Sequence, residues 1–229
     1  MTEFTTWRSL VDGTEISAIP DGLISQFKIS EDEDETLVNE FDEQPNATVG
    51  NQNLISVGDF VNGHGLDFDG SDVVTINDLY DFVGPGKQFA FAATVDISDL
   101  SDNQVVWKHD KDDGDSLVSF GAAGDGSTIG ARFASDNGTV EIGNANATTE
   151  RMRVGGNFDG DNGLADIAIN GVISNDNSER PVFRNEGSNL LGGNEGGEKA
   201  DMILDNPCWF PRLLSDDEFT QDFEAQPWS

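Results

Sequence analysis

The chain reads as all-β, a single sandwich, and three observations carry that reading. Short apolar segments that alternate with polar residues recur along its length, Gly, Asn and Asp turn signals separate them, and only Ser215 to Phe223 has helical character. At 229 residues, with 15 Phe and 4 Trp, the chain buries a core without staples. No linker rich in Pro or Ser and no internal repeat divides it. One domain is therefore expected over residues 20–229, preceded by an arm over residues 1–19.

The elements follow in order. Thr5 to Phe27 holds short apolar groups broken by Asp12-Gly13 and Pro20-Asp21-Gly22, where Asp and Gly accept bent backbone. Glu31 to Glu35 is an acidic run with no alternating apolar residues to aim it, and reads as a solvated loop. Gly65 to Ile76 alternates on both sides of the Asp69-Gly70 turn, with Leu66 and Phe68 facing inward. Phe89 to Ile97 places Phe89, Phe91, Ala93, Val95 and Ile97 on one side, the pattern of a half-buried strand. Further strands are expected at Gln104 to Lys108, Ser116 to Phe120, Thr128 to Phe133, Thr139 to Ile142, Arg151 to Asn157, Ala165 to Asn170, Asn189 to Gly192 and Met202 to Phe210. Ser215 and Glu218 then have capping-box spacing at the start of the helix.

The charge balance excludes whole classes of partner. With 44 Asp plus Glu against 12 Lys plus Arg, the net charge is −32, and no stretch gathers three basic side chains. Nucleic acid, which demands a cationic footprint, is not an expected partner, and anionic membrane surfaces are disfavoured for the same reason. The acids are spread along the chain rather than gathered in a tail, which reads as adaptation of the surface to salt. At 1 M salt the Debye length falls to about 3 Å and such self-repulsion is screened. Cys208 is the one cysteine, so no internal disulfide is available and a small packed thiol is expected. Met1 to Arg8 lacks a basic segment leading into an apolar run, so no secretory signal is expected, and no apolar stretch approaches membrane-spanning length.

Four segments in order carry a resemblance. Gly65-Leu66-Asp67-Phe68-Asp69-Gly70-Ser71-Asp72, the strand Phe89 to Ile97, Asn157-Phe158-Asp159-Gly160 before Ile167 to Val172, and Leu204-Asp205-Asn206-Pro207 with Trp209 to Ser215 together resemble the laminin G-like domains. These belong to the concanavalin A-like lectin and glucanase superfamily. The resemblance spans roughly Pro20 to Phe223 and implies an antiparallel two-sheet jelly roll with a short C-terminal helix. That fold serves lectins, glycan hydrolases, adhesion modules and viral attachment proteins, so it leaves the activity open.

No strand presents the facing carboxylates of glycoside hydrolysis: Glu33 and Glu35 lie in the acidic run and Glu141 stands alone. No catalytic residue is expected. His64 and His109 are too far apart in sequence to suggest a metal pair and read as surface or satisfied histidines. Calcium is the ion that the resemblance suggests, with Asp69 and Asp72 flanking a bend and Asp205 approaching from the terminal strand. Asp110 to Asp115 begins like an EF-hand but fails, because Gly114 stands at a ligand position and Gly121 at position twelve. Trp107, Tyr80, Phe158 and Trp209 are candidate aromatic planes for a glycan, with core packing the competing role. Asn46-Ala-Thr48, Asn137-Gly-Thr139 and Asn146-Ala-Thr148 are glycosylation sequons by pattern.

Thr6 to Ile16, running into Ala18-Ile19-Pro20-Asp21, is similar to the start of some phage-type virion proteins. The resulting expectation is a non-enzymatic protein on the surface of a tailed virus of halophilic archaea, in its tail or decorating its capsid. Other virion proteins and a host-surface glycan or glycoprotein would be its partners, and a homo-oligomer its form. A haloarchaeal glycan hydrolase and a cellular adhesion domain are the alternatives.

Overall fold

The computed structural model describes residues 64–70, 72–76, 87–110, 116–135, 138–159, 164–176, 188–193 and 200–226, together with short strands nearer the N-terminus. In chain order the strands are Leu10–Val11 (β1), Thr14–Glu15 (β2), Ser25–Gln26 (β3), Thr36–Leu37 (β4), Ala47–Val49 (β5), Ile55–Gly58 (β6), His64–Asp69 (β7), Val74–Ile76 (β8) and Gln88–Ile97 (β9). They continue as Asn103–Asp110 (β10), Ser116–Ala123 (β11), Ile129–Ser135 (β12), Gly138–Asn144 (β13), Met152–Asp159 (β14), Leu164–Ile169 (β15), Val172–Asp176 (β16), Ser188–Leu191 (β17) and Asp201–Phe210 (β18). Asp216–Glu224 forms helix α1. Tyr80, the Glu31 to Glu35 run, and Lys111 to Asp115 lie outside the described residues.

β1 and β2 pair with each other. The remaining strands make two antiparallel sheets, so the fold is the expected β-sandwich. One sheet runs β16-β15-β14-β9-β18-β7-β6 with β3 also on β18, and the other runs β13-β12-β11-β10-β17-β8-β5-β4. The sequence reading missed β16, which folds back from β15 through Asn170 (φ 49°) and Gly171 (φ 76°) with Ile169 opposite Val172. Two residues at positive φ are what a tight hairpin requires, and Asn-Gly adopts that turn at low cost.

The core lies between the sheets. Leu66 and Phe68 face it as expected, and so does the whole apolar side of β9 from Phe89 to Ile97. Phe89 stacks on Phe158 with ring centroids 5.0 Å apart, Phe91 meets Trp107 at 5.5 Å and Trp209 at 5.0 Å, and Phe120 meets Phe91 edge-on at 5.6 Å. Each such ring contributes about 1.5–3 kcal/mol through burial, and favourable ring pairing adds about 0.5–1.5 kcal/mol.

β9 is not half-buried, as its alternation alone suggests. Its other side, Ala90 and Ala92, packs with Ala168, Cys208, Phe210, Leu214 and Phe219 in a second apolar cluster beneath α1. Small residues on the sheet let the helix approach. Ser215 caps α1 with the expected box: its hydroxyl accepts from the Glu218 N–H and the Glu218 carboxylate accepts from the Ser215 N–H.

β18 carries a bulge. Asp205 stands opposite Thr94 and Cys208 opposite Ala92, so one extra residue is accommodated where Asn206 has φ 50° and Pro207 has no N–H to give the ladder.

Candidate functional site

The helix covers one sheet, and the cleft lies on the other. In β11, Phe120 and Ala122 point into the core, which turns Gly121 outward; Ile129 and Ala131 do the same for Gly130 in β12, and Ile142 for Gly143 in β13. The register then aligns them. Val105 of β10 stands opposite Gly121, Gly121 opposite Gly130, and Gly130 opposite Gly143. Three strands in succession thus carry no side chain along one line across the sheet.

The glycines are also required locally. An added Cβ at Gly121 would overlap the Gln104 carbonyl oxygen, one at Gly130 the Ile142 carbonyl oxygen, and one at Gly143 the Thr128 methyl. The result is a cleft of about 300 Å3, floored by Gly121 and Gly130 and bordered by Asn103, Ser119, Ala123 and Arg132. Ser119 and Arg132 are cross-strand partners on one side, and Asn103 and Ala123 on the other.

Hydrogen bonds hold this frame in place. Gln104 Oε1 accepts from the Asp201 N–H at 2.7 Å and so joins β10 to the start of β18. At the end of the cleft, the Gly126 N–H donates to the Leu100 carbonyl at 2.9 Å, joining the β9–β10 and β11–β12 turns. The exposed Asp99 carboxylate accepts from the Ser101 hydroxyl and N–H, and Asp125 from Thr128 and Ser127, which holds both below the usual carboxylate range. Chemically, the cleft offers hydroxyl, amide, guanidinium and backbone groups, which suit a hydroxyl-rich ligand.

The residues singled out from sequence are dispersed. Asp69 and Asp72 do come together: the Asp72 side chain is buried and accepts from the Asp69 N–H at 3.2 Å, closing the bend. Asp205 is elsewhere. Asp69 stands opposite Asp201, four residues up β18 from Asp205, and four residues of strand span roughly 13 Å. Calcium–oxygen bonds are about 2.3–2.6 Å, so the three carboxylates do not fit a single ion. Among the described residues, no three Asp, Glu, His or Cys side chains are grouped to hold a metal.

Trp107, Phe158 and Trp209 are core residues, fully enclosed, and present no plane to a ligand. His109 is buried with Nδ1 3.2 Å from Asn189 Oδ1, which also accepts from Trp107 Nε1. Of the sequons, Asn146 is exposed in the turn after β13, while Asn46 and Asn137 lie outside the described residues.

A second polar constellation sits under α1. Arg153 of β14 is buried, and its guanidinium donates to Asp222 at 2.7 and 3.2 Å, to Thr94 Oγ1 at 3.3 Å, to the Asn206 carbonyl at 3.1 Å and to Cys208 Sγ at 3.2 Å. Burial has the largest single effect and lowers the Arg153 pKa, but the charges and hydrogen bonds of Asp222 and Cys208 together outweigh it and the net shift is upward. Burial pushes the Cys208 thiol up to about 11, more than Arg153 lowers it, so the thiol stays neutral and unreactive. This set fastens the helix to the sheet.

Sequence reasoning missed the cleft. Its signal was an outward glycine between inward-facing residues on three strands, but the register that lines the glycines up is tertiary.

Solved structures share this architecture. The sialidase of Trypanosoma rangeli matches with a TM-score of 0.66 over 95% of this chain, at 12% identity. The receptor-binding domain of botulinum neurotoxin D matches with a TM-score of 0.64 over 89% of the chain, at 14% identity. Domain 4 of AbnA, an extracellular GH43 arabinanase of Geobacillus stearothermophilus solved in complex with arabinotriose, matches with a TM-score of 0.66 over 88% of the chain, at 15% identity.

The chain has the β-sandwich fold of these domains. It spans 35% of the sialidase, 52% of the neurotoxin domain and 98% of the arabinanase domain. No family model and no curated protein sequence matches it. At such identities the likeness is one of fold, and the cleft has to be judged on its own residues. Among the described residues, no helix is long and apolar enough to cross a membrane.

Proposed function

We propose that this protein is a non-catalytic carbohydrate-recognition module whose site is the glycine-floored cleft of β10–β13. The observation that carries the reading is the cleft itself, a solvent-facing trough with backbone on its floor and hydroxyl, amide and guanidinium groups on its walls. Sugars present hydroxyl edges that such groups pair with. Support for the fold's capacity comes from the arabinanase domain, which matches over nearly its whole length and was solved with arabinotriose.

The setting we propose is the surface of a virus particle of a halophilic host, with a symmetric homo-oligomer contacting host-surface glycans. The net charge of −32 and the bridge-free fold support a protein working in concentrated salt. Calcium is not required by this reading; titration at high sodium with Asp69→Ala tests the Asp69–Asp72 bend separately.

The deciding experiment is binding to a glycan panel and to isolated host-surface glycans in molar salt, comparing the parent with Ala123→Trp. Ala123 is exposed at the cleft border, so the indole fills the trough without touching the core. Saturable binding that Ala123→Trp abolishes at unchanged melting temperature is expected. No binding to any glycan, or binding that Ala123→Trp leaves intact, rejects the site. Release of reducing sugar would instead favour a hydrolase.

A further inference from the structure

We infer that the cleft takes a short, linear, neutral oligosaccharide that lies along β11 and is held at its two ends by Ser119 and Asn103. This rests on the carbohydrate reading above and adds the ligand's charge, length and direction.

Charge follows from which polar groups are still open. Among the described residues, the polar side chains that line the cleft are those of Asn103, Gln104, Ser119 and Arg132. Two of them are already in use. Gln104 Oε1 accepts from the Asp201 N–H at 2.7 Å, and its Nε2 donates to the Asp99 carbonyl at 3.4 Å. Arg132 also interacts within the protein, and Glu141 stands opposite it on β13. The side chains of Asn103 and Ser119, by contrast, carry no hydrogen bond or ion pair among the described residues. Both are neutral. A carboxamide and a hydroxyl each donate and accept, so they pair with sugar hydroxyls in either sense, but neither supplies a counter-charge for a carboxylate, sulfate or phosphate. An anion would also have to approach against a net charge of −32.

Length and direction follow from the register. Ser119, Gly121 and Ala123 are alternate residues of β11 and all line the cleft, with the side-chain-free Gly121 midway. Asn103 stands opposite Ala123 on the neighbouring β10. At about 3.3 Å per residue along β11 and about 4.8 Å across to β10, Ser119 and Asn103 are roughly 14 Å apart, the span of about three sugar units in a chain. Gly130, opposite Gly121, widens the floor on one side, and Val105, also opposite Gly121, borders it on the other. A middle unit therefore rests on backbone while its two neighbours meet Ser119 and Asn103. A single sugar reaches only one of the two.

The test is calorimetric titration of the full chain in molar KCl. The probes are arabinose and its linear oligomers up to the tetramer, the corresponding glucose, mannose and galactose series, and a uronate trimer as the anionic control. In at least one neutral series, affinity is expected to rise from monomer to trimer and to gain nothing from a fourth unit. Asn103→Ala and Ser119→Ala are each expected to weaken the trimer about fivefold at unchanged melting temperature, as one lost hydrogen bond implies. The monosaccharide is expected to respond to no more than one of the two substitutions. Affinity that ignores length, a trimer indifferent to either substitution, or a uronate trimer bound as tightly as the neutral ones overturns this inference and leaves the carbohydrate reading standing. The same holds if every series fails while another glycan of the panel binds and Ala123→Trp abolishes that binding. Failure of every series and of the whole panel rejects both.

Discussion

Removing the Asp222 carboxylate is expected to destabilise the sandwich by about 3–5 kcal/mol, the loss seen when one partner of a buried ion pair is deleted. Asp222→Ala takes away the two shortest-range charged contacts of the Arg153 guanidinium, at 2.7 and 3.2 Å. It leaves that cation enclosed, with only neutral acceptors at Thr94, Asn206 and Cys208. The side chains are 3% and 6% exposed, so solvent cannot replace the lost carboxylate. For a domain of this size, each kcal/mol moves the melting temperature by about 2–4 °C, which puts the drop at roughly 10 °C. Urea unfolding in molar KCl is the assay, because salt screens exposed pairs and spares a buried one. The double variant Arg153→Met/Asp222→Leu removes both charges and is expected to be more stable than Asp222→Ala alone. A loss below about 1 kcal/mol for Asp222→Ala, or a double variant as weak as the two singles summed, would refute the account of α1 as fastened by this pair.

Three further outcomes follow from named contacts. The bonds from Arg212, with those from Ser215, hold Glu218 down at about 2 against an ordinary 4.5, so its stabilisation is present above pH 4.5 and lost as pH falls towards 2. Glu218→Gln is therefore expected to cost about 1 kcal/mol at pH 7, after allowance for solvent screening, and nothing near pH 2; a difference independent of pH counts against the contact. Gly121→Ala is expected to cost about 3 kcal/mol or more, since the new methyl overlaps the Gln104 carbonyl and must part β10 from β11, and a neutral substitution in thermal melts would contradict that geometry. Circular dichroism in dilute buffer is expected to show a poorly folded chain that becomes cooperative in molar salt, whereas melting that ignores salt argues against adaptation of the −32 surface.

Particular elements show how far a sequence can be read here. The strand from Phe89 to Ile97, the inward pair Leu66 and Phe68, the capping box at Ser215 and Glu218, and the packed Cys208 thiol were all legible, because each is written in a period of two, a turn residue or a capping spacing. The second buried side of β9 was not, because nothing in an Ala-rich alternation says that a helix more than a hundred residues later will lie on it. Nor was the role of Arg153, whose partners at positions 94, 206, 208 and 222 are brought together by three strands and a helix.

The site divides the same way. Asp69, Asp72 and Asp205 stood out in sequence because acids near glycine resemble cation loops, and in so acidic a chain that signal is cheap; register then holds Asp205 away from the other two. What the sequence by itself determined is the class of fold, much of its strand content and the sign of its net charge, since these follow from local periodicity and composition. Only the tertiary structure decided that Gly121, Gly130 and Gly143 form one line with Arg132 beside it. Strand register is chosen by packing across the whole sandwich, and a one-residue slip would have turned every one of those positions into the core.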